Sequence, residues 1–283
     1  VSAGRVGSED LLDRLRAQVR ISGGIDLVKY KDGVFLRRLD NRMKATRCRS
    51  LAEYVDLVEA DRAEAERLTA SLTIQVSSFF RDLTAFHLLE EEVIPALLSE
   101  REAAGSGHAL KIWSAGCAHG EEAYTLAIIL HRLRRRLGPF PASLLATDVN
   151  PNALRRARLG EYESRSLSGL SQEMLNAFFD VTAVGWRVKP FLRDAVRFKV
   201  NDLLGDPPGH GFDIIACRNV LIYLTRDMQE EVLRKFHSLL KPGGYLILGK
   251  AETTLGESKA LYETISLKAR VFRTFPGTTG VPR

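Results

Sequence analysis

Cysteine is scarce in this sequence. Cys48, Cys117 and Cys217 are an odd number at wide spacing, and two of them sit inside apolar runs. That excludes a disulfide framework and a zinc ligand set, and predicts buried thiols in a reducing compartment. No run of eighteen apolar residues occurs, so no membrane insertion is expected. Val1 to Asp10 carries charge and has no apolar core, so it does not read as a signal peptide. The histidines (His87, His108, His119, His131, His210, His237) form neither an HExxH pattern nor a His/Cys ligand spacing, and no metal site is expected. A lipase-type GxSxG elbow is absent, as is the Lys-Ser/Thr pair of a triphosphate loop.

What is present fits a folded chain of one large domain, or of a catalytic domain with a smaller companion. Hydrophobic residues make up 45% of 283, enough for a substantial core. The formal charge is +6, and it is local. From Lys29 to Arg49 eight basic residues face two acidic ones, a net charge equal to that of the whole chain. Such a patch steers a protein toward an acidic partner without naming it.

The first hundred residues read as helices. Ser8 opens a periodic stretch to about Val19, which Gly23-Gly24 breaks. A second helix starts near Lys31. Ser50, with Glu53 three residues on, predicts an N-cap, and Leu51, Tyr54, Val55 and Val58 form one apolar face. Asp61 to Leu72 and Ser78 to Leu98 continue the helical pattern, and Gly105 and Gly107 mark a boundary. Strands and helices then alternate. Leu110–Ala115, Ser143–Thr147, Phe212–Cys217 and Tyr245–Leu248 read as strands. Glu121–Leu137, Pro151–Arg158 and Asp227–Leu240 read as helices, with a terminal hairpin over 260–275. Continuously apolar strands imply a mostly parallel sheet covered on both faces, an α/β fold. Within 160–200, a helix at Ser171–Phe179 and two segments able to pair as small strands, Trp186–Pro190 and Ala195–Val200, read as an insertion beside that sheet.

Five segments carry chemistry. Trp113-Ser-Ala-Gly-Cys-Ala-His-Gly-Glu-Glu runs from a strand through Gly116 and Gly120 into a helix. It is not a dinucleotide fingerprint, because the third glycine and its spacing are wrong. Glu121 and Glu122 would repel phosphates, so the loop suits a ligand with a positive centre, such as the ammonium and sulfonium of S-adenosylmethionine (SAM). A plain strand-helix turn is the alternative. Asp148 ends the second strand, where open α/β sheets bind ligands and an acid can take both ribose hydroxyls. Capping of the next helix is its alternative, a role better suited to Asn150. Asp202 follows a strand-like run and can accept from an adenine amino group, or sit in a surface turn. Cys217-Arg-Asn-Val-Leu-Ile-Tyr places Arg218 and Asn219 where the sheet opens, with Tyr223 a turn further on, orienting a substrate or simply packing. In Val76-Ser-Ser-Phe-Phe-Arg-Asp, the fork of donors on Arg81 fits a substrate carboxylate. Plain core for the phenylalanines, with Arg81 paired to Asp82 or solvated, is the other reading.

Taken in order, these blocks resemble the bacterial chemotaxis receptor methyltransferases, the CheR family. The resemblance runs from about Leu12 to Phe272. It is carried by Leu72-Thr-Ile-Gln-Val-Ser-Ser-Phe-Phe-Arg-Asp, Gly116-Cys-Ala-His-Gly-Glu-Glu-Ala-Tyr, Ala146-Thr-Asp-Val-Asn, Arg187-Val-Lys-Pro, Cys217-Arg-Asn-Val-Leu-Ile-Tyr and Lys241-Pro-Gly-Gly-Tyr-Leu. It implies an all-helical N-terminal domain (1–88, with a basic receptor-facing helix at about 31–47). A Rossmann-like class I SAM-dependent methyltransferase domain (89–283) follows, with a small antiparallel β-subdomain inserted at 160–200. It implies methylation of glutamate side chains on the cytoplasmic helical bundle of chemoreceptors, giving γ-methyl esters and S-adenosylhomocysteine. Gly116, Cys117, Ala118, Glu121, Asp148, Asp202, Leu203 and Asn219 are then assigned to SAM, and Arg81 and Tyr223 to catalysis. A cytoplasmic monomer with no nucleic-acid partner is the corresponding expectation. The departures Ala118-His119 and Lys250 leave a non-catalytic SAM-binding regulator as one alternative. The basic patch leaves a nucleic-acid methyltransferase as another, although no extruded-base loop or aromatic platform supports it.

Overall fold

A computed structural model describes residues 3–23, 26–72, 77–103, 105, 107–183 and 185–277. Gly24 of the expected helix break, and residues 73–76 of the longest marker segment, lie outside the described residues. The chain divides into two compact units, Val1–Ile74 with Tyr223–Met228, and Gln75–Ile222 with Gln229–Arg283.

The first unit is helical, with α1 (Ala3–Gly23), α2 (Asp32–Thr46), α3 (Leu51–Ala60) and α4 (Arg62–Leu72). Ser50 caps α3 by accepting from the Glu53 amide at 3.2 Å, and the Glu53 carboxylate reaches back to the amide of Arg49 at 2.7 Å. Two of the orphan donors of this terminus are thereby satisfied. Leu15, Val19, Phe35, Leu39, Tyr54, Val55, Val58, Leu68 and Leu72 are buried between the helices. Glu64, also buried, is held by Arg42 (2.6 Å), Arg67 (2.9 Å) and the Tyr54 hydroxyl (2.8 Å). That network joins α2, α3 and α4 and keeps the Glu64 carboxyl below its usual range against the upward push of burial. The segment Tyr223–Met228 joins this unit through an antiparallel bridge of Tyr30 with Leu224.

The second unit begins with α5 (Leu83–Leu88), a π turn at Leu89–Val93 and α6 (Ile94–Ala103). The expected helix from Ser78 therefore starts later. Phe80 and Asp82 have φ of 51° and 58°, outside helical geometry, and residues 77–82 form turns. There follow β1 (Leu110–Ala115), α7 (Glu121–Leu137), β2 (Ala142–Asp148), α8 (Pro151–Leu159), β3 (Glu161–Tyr162), α9 (Gln172–Phe178), β4 (Phe179–Thr182), β5 (Gly185–Val188), α10 (Pro190–Arg193) and β6 (Val196–Val200). The chain closes with β7 (Phe212–Cys217), α11 (Arg226–Leu239), β8 (Leu240–Leu248), β9 (Tyr262–Ser266) and β10 (Val271–Thr274).

Seven strands form the main sheet in the order β6-β2-β1-β7-β8-β10-β9. The first five are mutually parallel, and β10 runs antiparallel to both β8 and β9, so the terminal hairpin forms an edge. The small sheet is β3-β5-β4, antiparallel throughout. Ala195–Val200 does not pair within it. Its alternation fits an edge strand, and β6 adds in parallel to β2 instead. Pro242-Gly-Gly lies inside β8, where the register against β7 slips. The fold is a Rossmann-like α/β sheet with an inserted β-subdomain and a separate helical unit. All three cysteines are free, Cys117 and Cys217 buried and Cys48 half-buried.

The topology places the site. From β1 the chain builds outward to β2 and β6, then returns to lay β7 on the other side of β1. The strand order reverses between β1 and β7, and ligands of such sheets bind at the carboxyl ends of the strands beside that reversal.

Candidate active site

The turn from β1 to α7 requires glycine twice. Gly116 has φ of 76°, and a Cβ there would lie 2.6 Å from a Val220 methyl. Gly120 has φ of 95° and would meet the Ala157 Cβ at 3.0 Å. The amides of Gly116 and Cys117 both donate to the carbonyl of Thr147, at 2.8 and 2.9 Å, tying the loop to the end of β2. Ala118, at φ of 49°, donates its amide to Asp148 Oδ2 at 2.9 Å. The other oxygen of Asp148 accepts from the Asn150 amide at 2.9 Å. Asn150 caps α8, accepting from the amides of Asn152 and Ala153. Capping thus belongs to Asn150, and Asp148 clamps the glycine loop. Burial raises the Asp148 carboxyl, opposed by these backbone donors. Burial pushes the Cys117 thiol well up, so it offers no thiolate.

Glu121 opens α7 with 2% of its surface exposed. Its Oε2 has no hydrogen-bond partner among the described residues. Burial lifts its pKa to about 7. Leaving a buried carboxylate oxygen unpaired is unfavourable, so a cationic or donor ligand is the natural complement. Its neighbour Glu122 is differently placed. Ser114 donates to Glu122 Oε1 at 2.7 Å, and Arg218 Nη1 stands 3.7 Å from Oε2.

Arg81 lies between the two left-handed residues Phe80 and Asp82. Each such conformation costs on the order of 1–3 kcal/mol and persists only where the surroundings hold it. They do so here. The Phe79 amide donates to the Ser166 carbonyl at 3.0 Å and the Phe80 amide to Thr125 Oγ1 at 3.1 Å. Arg218 donates to the Arg81 carbonyl and to Asp82. The Phe79 ring packs edge-on against Tyr162 and Phe179, and Phe80 against Phe86. Both phenylalanines are therefore core, while Arg81 lines a cleft. Ser77, Ser78, His119, Glu121 and Tyr162 also line that cleft, whose volume is 560 Å³. The Tyr162 hydroxyl donates to the His119 carbonyl at 2.7 Å, so the β-subdomain supports the glycine loop. Burial beside Arg156 lowers the His119 pKa.

The remaining assigned residues are placed less directly. Asp202 and Leu203 follow β6 and are half-buried, but they do not line the cleft. Asp202 accepts from the Leu204 amide at 3.0 Å, and the Leu203 carbonyl from Lys235 at 2.9 Å. Asn219 follows the end of β7 with φ of 61°. Its amide donates to Glu252 Oε2 at 2.8 Å. Tyr223 is grouped with the helical unit, where its carbonyl accepts from the Lys31 amide at 2.9 Å.

Glu252 does not stand out in the sequence. It is 5% exposed, and it accepts from the amides of Asn219, Val220, Ile222 and Gly249. Burial raises its carboxyl, and the four donors oppose that shift. Glu252 shapes the loop that carries Asn219.

The model of the CheR methyltransferase SAM binding domain matches residues 75–271, and that of the CheR methyltransferase all-alpha domain matches residues 10–73. The chain belongs to the CheR methyltransferase family. It is 36% identical over 232 residues to a chemotaxis protein methyltransferase of Listeria innocua, covering 82% of this chain and 86% of that protein. It is 36% identical over 236 residues to chemotaxis protein methyltransferase 1 of Pseudomonas aeruginosa, covering 81% and 85%. A 104.1 kDa uncharacterized protein of Rhodobacter capsulatus is 34% identical over 270 residues. That match takes in 95% of this chain, which spans only 28% of that relative's length. The chain is a methyltransferase, and its methyl donor is SAM. The residues present fit that donor. The orphaned Oε2 of Glu121 suits its ammonium, and Glu121 and Arg81 line the same cleft.

Proposed function

We propose that the chain transfers the methyl group of SAM to glutamate side-chain carboxylates of chemoreceptors, forming γ-methyl esters. The observation that carries this reading is the single cleft lined by both Arg81 and the unpaired acid Glu121. One group suits an anionic acceptor and the other a cationic donor.

SAM supplies an electrophilic methyl group and leaves as S-adenosylhomocysteine. A carboxylate acceptor is already ionised near neutral pH, so the protein needs no general base. Its task is to place one carboxylate oxygen against the methyl carbon and exclude water, which is catalysis by orientation. Arg81 orients the acceptor with its fork of donors and holds no transferable proton. Glu121 holds the donor's ammonium. Asp148 keeps the glycine loop in shape and is the candidate for the ribose hydroxyls. The family resemblance supports Tyr223 as a second orienting group, and Asn219, Asp202 and Leu203 as further contacts to the donor.

The partner we propose is the cytoplasmic helical bundle of a chemoreceptor, met by α2 of a monomeric enzyme in the cytoplasm. In support, Arg37, Arg47 and Arg49 are exposed on and just after α2, whereas Arg42 is held by Glu64 and Lys44 by Asp40. None of the described helices is long and apolar enough to cross a membrane.

Methyl transfer from radiolabelled SAM to a chemoreceptor cytoplasmic fragment tests the reading. Base-labile label, released as volatile methanol and lost when the receptor glutamates become alanine, is expected. Folded enzyme that binds SAM yet labels no receptor from its own genome would contradict it.

A further inference from the structure

We propose that Arg218 is the positioning residue of Arg81, acting through the backbone of the loop that carries it. The inference rests on the reading of Arg81 as the acceptor-orienting group.

Arg218 follows the last residue of β7, and its side chain is 3% exposed. Its Nη2 donates to the Arg81 carbonyl at 2.6 Å and to Asp82 Oδ2 at 3.1 Å. Its Nη1 is 3.7 Å from Glu122 Oε2, and the guanidinium lies 4.6 Å from the centre of the Phe86 ring. Glu122 is fixed in turn by Ser114, the fifth residue of β1. A polar chain, buried at Ser114 and Arg218, therefore runs from β1, through the first turn of α7, to the end of β7 and out to the exposed Arg81 loop.

The chemistry demands arginine. One planar group must bridge a carbonyl and a carboxylate, face a second carboxylate and stack on an aromatic ring, which a lysine ammonium cannot do at once. The loop demands an anchor. Phe80 and Asp82 are held left-handed on either side of Arg81. Backbone bonds hold the turn on both sides, from the amides of Phe79, Phe80 and Arg81 before it and from the Ala85 amide to the Asp82 carbonyl after it, and Arg218 adds the side-chain anchor on the Arg81 carbonyl and the Asp82 carboxylate. Without it, the Arg81 carbonyl and the Asp82 carboxylate lose their shared anchor, and the loosened turn would shift the Arg81 side chain from its place.

A double-mutant cycle tests this, with steady-state turnover on a chemoreceptor fragment and calorimetric titration of S-adenosylhomocysteine. Arg218→Lys is expected to lower kcat about tenfold to a hundredfold while the KM for SAM stays within about twofold. Asp82→Gly, which tolerates the left-handed backbone and removes the carboxylate, is expected to move the same way by less. In the Arg81→Ala background neither change should slow the enzyme further. Losses that multiply in the double variants would show a general structural role and overturn the proposal, as would full turnover in Asp82→Gly together with Arg218→Lys. If Arg218→Lys does not fold, the Asp82→Gly cycle alone decides between these outcomes. The Arg81→Ala single variant separates the two levels. Wild-type turnover there would remove Arg81 from the mechanism and leave Arg218 nothing to position.

Discussion

The two ends of the main sheet each bury a carboxylate, with opposite outcomes. At the amino end, Asp213 on β7 is 3% exposed and fully engaged. Arg101 meets its Oδ1 at 2.6 Å and Lys241 at 3.0 Å, and the Lys111 amide donates to Oδ2 at 2.7 Å. At the carboxyl end, Glu121 is 2% exposed, and one oxygen has no partner among the described residues. Burial does not separate the two, and neither does space. A hollow of 450 Å³ adjoins Asp213, against 560 Å³ for the cleft at Glu121. The difference is satisfaction. A closed hydrogen-bond set marks an acid that holds strands together, and an open one marks an acid waiting for a ligand. Glu252 sharpens the contrast, because it sits at the carboxyl end yet is closed by four backbone amides.

The largest expected effect is at Glu252. Glu252→Ala orphans those amides, each worth about 1–3 kcal/mol when buried without a partner. The catalytic unit should be too unstable to purify folded, and a variant with a normal urea midpoint would break the comparison. Asp213→Ala should lower stability by about 3 kcal/mol, because it leaves the largely buried Arg101 guanidinium and the Lys111 amide without their partner, while the more exposed Lys241 turns to solvent. The surviving folded protein should keep its affinity for S-adenosylhomocysteine, and a parallel loss of affinity would show that the amino end is not merely structural.

Glu121 should behave in the reverse sense, with a defined pH window. Its pKa rises from 4.5 to about 7 on folding. Between those values the folded chain binds more protons than the unfolded one, so stability falls as pH rises. The total is about 3 kcal/mol, lost by the time pH passes 7. Chemical denaturation of the ligand-free protein from pH 4.5 to 8 should show this slope, and Glu121→Gln should flatten it. Identical slopes in the two proteins would place the titrating group elsewhere. Affinity for S-adenosylhomocysteine should run the other way, tightening as pH rises through about 7, because its ammonium prefers the carboxylate.

The sheet is legible in the sequence where the pattern is local. Leu110–Ala115 and Phe212–Cys217 are short, mostly apolar segments, each broken near its start by one charged residue (Lys111, Asp213), and both match their strands to the residue. The turn at 77–82 is not legible. Phe79, Phe80, Leu83 and Phe86 keep helical spacing, and a left-handed phenylalanine carries no compositional mark. Ala195–Val200 reads as a strand, but which sheet edge it joins depends on where the chain has already laid β2. In the site, the glycine loop and Glu121 are visible because loop chemistry is encoded in neighbouring residues. The roles of Glu252 and Arg218 are hidden because their partners lie up to 137 residues away and are largely backbone atoms. The grouping of Tyr223 with the helical unit likewise rests on the Lys31 amide that its carbonyl accepts from and on the bridge of its neighbour Leu224 with Tyr30, about two hundred positions earlier in the chain, which no local pattern announces.

Calorimetric titration of S-adenosylhomocysteine into the wild type, Glu121→Gln and Asp213→Asn at pH 8 tests most directly whether the open acid is the donor's seat. Glu121→Gln is expected to lose affinity by roughly tenfold to a hundredfold, the worth of a charge-assisted hydrogen bond, without losing stability. Asp213→Asn should be less stable and bind normally. Wild-type affinity in Glu121→Gln would contradict this, because the open carboxylate at the head of α7 would then not be where the donor is held.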